Sequence, residues 1–138
     1  MIHHILQEKK MKNAAKIHKF EDLIAWQKSK KLSLLIYRIT GCSAFKKDFN
    51  LKSQMRKASV SVMSNIAEGF DRYSTKELRH FISIARGSVA EIRSQVHLAE
   101  ELGYITKMEA SGIIDLCVEP GLILGGLRKS LERKAGKT

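Results

Sequence analysis

Residues 74–103 read STKELRHFISIARGSVAEIRSQVHLAEELG, and Leu78, Ile82, Ala85, Val89, Ile92, Val96 and Ala99 recur in it at three- and four-residue steps. That period lines them along one side of a helix, the seam of a helical bundle. Both ends are marked. Ser74-Thr75-Lys76-Glu77 is a capping box, in which the Ser hydroxyl accepts from an orphan amide and the Glu reaches back to the cap amide. Gly103 supplies the residue that commonly follows a helix. Thr106-Lys107-Met108-Glu109 repeats the box and opens a further helix carrying Ile113, Leu116, Ile123, Leu124, Leu127 and Leu131. Upstream, Leu51, Met55, Ala58, Val62 and Ile66 form the core side of a helix running towards Gly69. Gly41-Cys42-Ser43 separates it from a first helix, where Glu21 and Asp22 place negative charge in the opening turn. Four helices with short connections predict an all-α fold, an antiparallel up-down four-helix bundle over residues 18–134. Residues 1–17 are expected to be a flexible basic extension and residues 135–138 a basic tail.

The fourth helix carries Gly112, Pro120, Gly121, Gly125 and Gly126. At ~1 kcal/mol per Gly and ~3 for Pro the intrinsic penalty is several kcal/mol. A kink or break is therefore expected near Glu119-Pro120. The first helix has two apolar sides. Leu23, Trp26, Leu34 and Tyr37 gather on one, and Ile24, Ala25, Leu32, Leu35, Ile36 and Ile39 on nearly the opposite one. A surface helix of a lone bundle needs a single stripe. The second, through Ile24, Leu32, Leu35, Ile36 and Ile39, is expected to be a subunit interface; burial within one chain is the alternative.

With 138 residues there is room for one domain. A hydrophobic share of 43% with 28% charged residues places the chain among globular proteins, not disordered ones. Uninterrupted apolar runs are short of the ~18 residues a bilayer span takes, and the opening residues lack the features of a secretory signal. Cys42 and Cys117 make neither a disulfide framework nor a metal pair, so a reduced cytoplasmic setting is expected. The 25 Lys and Arg against 14 Asp and Glu give a formal charge of +11. Residues 1–20 hold five Lys and one acid (+4), residues 128–138 five bases and one acid (+4), and the 107 residues between them 15 bases and 12 acids (+3). The excess sits at the ends, where it can neutralise phosphates or simply keep a bundle soluble.

Chemistry-bearing patterns are thin. Glu77-Leu78-Arg79-His80 has the Glu-x-x-His spacing of di-iron bundles, but no second copy exists and Glu77 is explained as a cap. Gly125-Gly126-Leu127-Arg128-Lys129-Ser130 lacks the spacing and preceding strand of a phosphate loop. Neither cysteine has a local His signature to activate it. No catalytic residue, metal or cofactor is expected. Asn65 and Glu68, neighbours on one helix surface, with Arg86 and Glu91 on the next helix, are candidates for a polar network. Lys46, Lys47, Lys52, Arg56 and Lys57 form one candidate nucleic-acid-binding surface, and Arg128, Lys129, Arg133 and Lys134 another.

Several stretches resemble one family. Phe20-Glu21-Asp22-Leu23-Ile24-Ala25-Trp26-Gln27-Lys28 is similar to the "FEDLxxWQK" opening of the 23S rRNA intervening-sequence four-helix-bundle proteins. Gln54-Met55-Arg56-Lys57-Ala58, Ser64-Asn65-Ile66-Ala67-Glu68-Gly69, Phe81-Ile82-Ser83-Ile84-Ala85-Arg86-Gly87-Ser88 and Leu98-Ala99-Glu100-Glu101-Leu102-Gly103-Tyr104-Ile105 follow in the family's order. The resemblance spans roughly residues 18–132 and implies a bacterial cytoplasmic bundle assembled as a ring-like homopentamer. A related group, the accessory proteins of diversity-generating retroelements, works with a reverse transcriptase and RNA. Two departures stand out: Met63 where the family usually has Pro, and Pro120-Gly121 in the last helix. The combined expectation is a non-enzymatic homo-oligomer that binds nucleic acid, structured RNA before DNA, through basic surfaces. The alternative is a protein-interaction scaffold or accessory subunit that makes no direct nucleic-acid contact. No membrane association is expected.

Overall fold

A computed structural model describes residues 18–72 and 74–136, with the backbone alone for Ser43 and residues 134–136. The expected extension at residues 1–17 lies outside the described residues. Four helices make up the fold: α1 (Ile24–Thr40), α2 (Phe49–Phe70), α3 (Thr75–Glu101) and α4 (Lys107–Gly136). Short 3₁₀ turns at Phe20–Asp22 and Ser43–Phe45 precede α1 and α2. Each helix packs on the next, and α4 returns to α1, which closes a four-helix bundle. The helix α4 reaches Gly136, past the boundary expected at residue 134.

The caps explain where the helices start and stop. Asp48 caps α2 by accepting from the Leu51 amide at 3.0 Å. Its other oxygen accepts from the Tyr104 hydroxyl at 3.0 Å, tying the first connection to the third. At Ser74 the serine half of the capping box is made, the hydroxyl accepting from Glu77 N at 3.3 Å. At Thr106 both halves are made, at 2.9 and 3.1 Å. Gly103 has φ +75°, and Gly103 N donates to Glu100 O while Tyr104 N donates to Ala99 O. This is the Schellman ending that a glycine there allows. Glu21 and Asp22 belong to the preceding 3₁₀ turn instead of the first turn of α1, which corrects the sequence reading.

Leu51, Met55, Ala58, Val62 and Ile66 of α2 are buried, as are Ile82, Ala85, Val89, Ile92, Val96 and Ala99 of α3. In α1 the side expected to be a subunit interface packs into the core of the single chain, and Leu23 of the other side is buried with it. Leu32, Ile36 and Ile39 are core residues of the single chain, and Ile24 and Leu35 pack half-buried against that core. These five therefore do not form an outward interface stripe. Leu34 and Tyr37, from the other apolar side, are exposed. The cause is polar. Ser29, Ser33 and Thr40 are buried on the core side, satisfied by Ser29 Oγ donating to Ala25 O, Ser33 Oγ to Ser59 Oγ and Thr40 Oγ1 to Ile36 O. Hydroxyls bonded in this way sit in a core without an orphan group. Trp26, meanwhile, is half-covered by an edge-on Phe20 ring at 5.2 Å.

The last helix is not broken at Pro120: α4 runs unbroken from Lys107 to Gly136 with Pro120 buried inside it. Proline costs roughly 3 kcal/mol in a helix interior. Beyond it, Ile123, Leu124, Leu127 and Leu131 are all buried, and each contributes about 1.5–3 kcal/mol. Packing on the far side outweighs the lost bond. Taken over its whole length and not as an uninterrupted run, Lys107–Arg133 is long and apolar enough to cross a bilayer. Its buried apolar residues are part of the bundle core. The helix α2 is likewise continuous through Met63.

Gly69 lies at a tight contact between α2 and α3. A Cβ there would meet Phe81 Cβ at 3.0 Å and Leu78 Cδ1 at 3.1 Å. Gly69→Val is expected to destabilise the fold by about 1–3 kcal/mol through overpacking, read as a lower urea midpoint. An unchanged midpoint would mean that α3 shifts freely at this contact.

Candidate nucleic-acid interface

Phe49, Lys52, Ser53, Arg56, Lys57 and Val60 stand at i, i+3, i+4, i+7, i+8 and i+11, so they share one side of α2. With Tyr37 of α1 they line a groove of about 480 Å³ on the α1–α2 face. Phe49 is 73% exposed and Tyr37 43%. The Arg56 guanidinium stacks on the Tyr37 ring at 4.5 Å, with Nε donating to Thr40 Oγ1 at 2.9 Å and Nη2 to Tyr37 O at 3.2 Å. Arg56 is thus a strut between α1 and α2 that holds the tyrosine ring in place while keeping its charge on the face. Lys57 is exposed and Lys52 half-buried, with no ion pair to either among the described residues. Lys46 and Lys47 stand exposed in the segment leading to Phe49. Of the first candidate surface, the groove brings together Lys52, Arg56 and Lys57; Lys46 and Lys47 do not line it. Its aromatic members, Phe49 and Tyr37, were missed by the sequence reading, although the i, i+3, i+4 spacing of Phe49 with Lys52 and Ser53 was there to be seen.

The second expected surface divides. Lys129 and Arg133 are exposed at the end of α4. Arg128 turns into a different groove, of about 540 Å³, between α3 and α4. Its Nε lies 3.4 Å from Glu132 Oε1, sheltered from solvent and without a hydrogen bond. The Lys134 side chain lies outside the described residues.

The expected polar network takes another form. Asn65 donates to Ser61 O and Oγ at 2.8 and 3.0 Å, and Ser88 Oγ donates to Ser61 Oγ at 2.8 Å, joining α2 to α3. Glu91 accepts from Gln95 at 3.3 Å. Glu68 and Arg86 take no part: Glu68 is exposed, and Arg86 lines the α3–α4 groove. The reason is register, since Ser88, two positions beyond Arg86, is the residue that faces α2.

Among the described residues no three of His, Cys, Asp or Glu are placed to share a metal ion. Cys117 is buried, and burial pushes its thiol up to about 11 from 9.0, opposed by the charge of Arg93. A thiol so protonated is a poor nucleophile. Because the folded value lies above the unfolded one, its contribution to stability is complete below about pH 9 and is lost as pH rises towards about 11. Cys117→Val is expected to flatten that part of the alkaline melting profile, by of order 2 kcal/mol. A variant with the same alkaline slope as the parent would assign the loss to other groups, such as Tyr104, whose hydroxyl is also raised by its bond to Asp48.

Comparison with known proteins bears on the whole bundle. Residues 21–126 match the model of the 23S rRNA-intervening sequence proteins. No curated protein matches the chain. Among solved structures, it is similar to a protein of unknown function from the S23 ribosomal protein family of Bacteroides thetaiotaomicron. The TM-score is 0.71 at 21% identity, over 77% of this chain and 99% of that one. At that identity the likeness concerns the fold.

Proposed function

Because the chain belongs to the 23S rRNA-intervening sequence protein family, we propose that it is a non-enzymatic binding protein whose ligand is nucleic acid, structured RNA in the first place, held on the α1–α2 face. The observation that carries this reading is Phe49, an aromatic ring left largely in water beside Lys52 and Lys57. Bases splayed from a loop stack on such rings, while lysines neutralise the flanking phosphates. The rings favour unpaired bases over a closed duplex, whose bases are already stacked. Self-association, up to the ring-like pentamer of the resembled proteins, is part of the same proposal. It is supported by large apolar side chains left exposed, Leu34, Leu98, Leu102 and Met108. The free thiols Cys42 and Cys117 suit a reducing compartment, and a cytoplasmic setting is proposed with them.

The test is fluorescence anisotropy with a labelled RNA hairpin carrying an unpaired loop, a fully paired duplex of equal length, and the DNA hairpin, from low to high salt. The expected result is preference for the looped RNA, with log affinity falling linearly with log salt. No binding at low salt would overturn the reading in favour of a scaffold.

A further inference from the structure

The α3–α4 groove lies on the opposite side of the bundle from the α1–α2 face, since α1 and α3 each pack against both α2 and α4. Its composition differs. Its cations are all arginines, Arg86, Arg93 and Arg128, and its exposed large apolar residues are aliphatic, Val118 at 51% and Leu122 at 60%. No acidic group lies within ion-pair distance of Arg86 or Arg93 among the described residues.

Two glycines deepen it. A Cβ on Gly87 would meet nothing within 4 Å, and one on Gly121 only Val89 Cγ1 at an ordinary 3.7 Å. Both sit inside helices, where glycine is disfavoured. Packing within the chain gains nothing from their missing side chains. Their effect is to leave room for something outside it.

We infer that the α3–α4 groove is the docking site for an acidic amphipathic helix of a partner protein. Val118 and Leu122 are one helical turn apart and offer the apolar contact that such a helix needs along its i, i+4 side. Arg86 and Arg93 are two turns apart, ~10.5 Å along α3. That matches carboxylates seven positions apart on a helix lying along the groove. Guanidinium forks bind carboxylates bidentately. The glycine floor lets the partner's backbone approach. Aliphatic side chains in place of exposed rings favour a protein segment over nucleic acid, in contrast to the opposite face. The bundle would then hold RNA on one side and a protein on the other.

The experiment titrates the full chain against three labelled probes: a synthetic helix with Leu on one side and Glu on the other, the same helix with Lys for Glu, and single-stranded oligo(U). The Glu helix is expected to bind and the Lys helix to bind far more weakly. Arg86→Glu and Arg93→Glu should each weaken the Glu helix roughly tenfold. Gly87→Leu should weaken it while leaving the melting temperature at or above that of the parent, which a purely structural role of Gly87 would not produce. Equal binding of the two helices, or no effect of Gly87→Leu, would overturn the inference. So would oligo(U) binding that Arg93→Glu weakens more than changes at Lys52 and Lys57, which would make the groove a nucleic-acid site. Light scattering in which Arg93→Glu dissociates an oligomer of the parent would overturn it in favour of a second copy. Retained RNA-hairpin binding alongside a failed Glu helix would leave the α1–α2 reading standing alone.

Discussion

Ile36→Ala is expected to destabilise the bundle by about 2–5 kcal/mol, and Ile36→Glu to leave it largely unfolded, while Leu34→Glu melts within a few degrees of the parent. The two residues are neighbours in sequence and opposites in space: Ile36 is 0% exposed and Leu34 56%. Removing the Ile36 side chain leaves a cavity bounded by helices that cannot collapse fully. Burying a carboxylate there adds a desolvation penalty, with no buried cation among the described residues to offset it. Against a net stability of ~5–15 kcal/mol, the charged variant exceeds what most domains tolerate. Circular dichroism melts separate the outcomes. A fall of roughly ten degrees or more for Ile36→Ala places the residue in the core of each chain. An unchanged melt with loss of only the assembled form would return Ile36 to a subunit interface.

This pair of residues also shows where the sequence was readable. In α2, α3 and the second half of α4 the core side carries a single aliphatic stripe with a few buried polar residues, so the three- and four-residue recurrence of Ile82, Val89, Ile92 and Val96 names the buried face. The capping box at Thr106 and Gly103 marked their neighbouring ends for local reasons that tertiary packing does not override. In α1 the buried face is diluted by Ser29, Ser33 and Thr40, and the outward face carries the bulkier Leu34 and Tyr37. The apolar pattern alone therefore left open which side faces in. The buried hydroxyls are satisfied in part by the Ser33–Ser59 hydrogen bond, a contact between residues 26 positions apart that no local pattern reveals. That α4 continues through Pro120 without a break was hidden for a related reason, because the burial of Ile123 and Leu124 beyond it depends on the neighbouring helices. The candidate site was half legible. Lys52, Arg56 and Lys57 stood out as charge, but the exposure of Phe49 and Tyr37 follows only from knowing which side of each helix faces in.

Phe49→Ala is expected to weaken binding of a looped RNA by about 1–3 kcal/mol, the worth of one stacked base, or roughly five- to 150-fold. The slope of log affinity against log salt should stay as in the parent, because an uncharged ring displaces no counterion. Lys52→Ala with Lys57→Ala should do the reverse, lowering the slope by about 2 if each lysine meets one phosphate. The two effects come from different physics on one surface, so the combined variant should lose both together. Arg56 is the wrong residue for this comparison. Its bonds to Thr40 and to the Tyr37 carbonyl, with its stacking on the Tyr37 ring, make Arg56→Ala a change in how α1 meets α2 as well as a lost charge. It should lower the melting temperature, which the lysine changes should not. Phe49 carries no such double role, since it is the first residue of α2 and three-quarters in water. An RNA affinity indifferent to Phe49→Ala but sensitive to the lysines would reduce the face to a patch of charge. Indifference to both would move any nucleic-acid contact to the exposed end of α4, at Lys129 and Arg133, where no aromatic ring lines the surface.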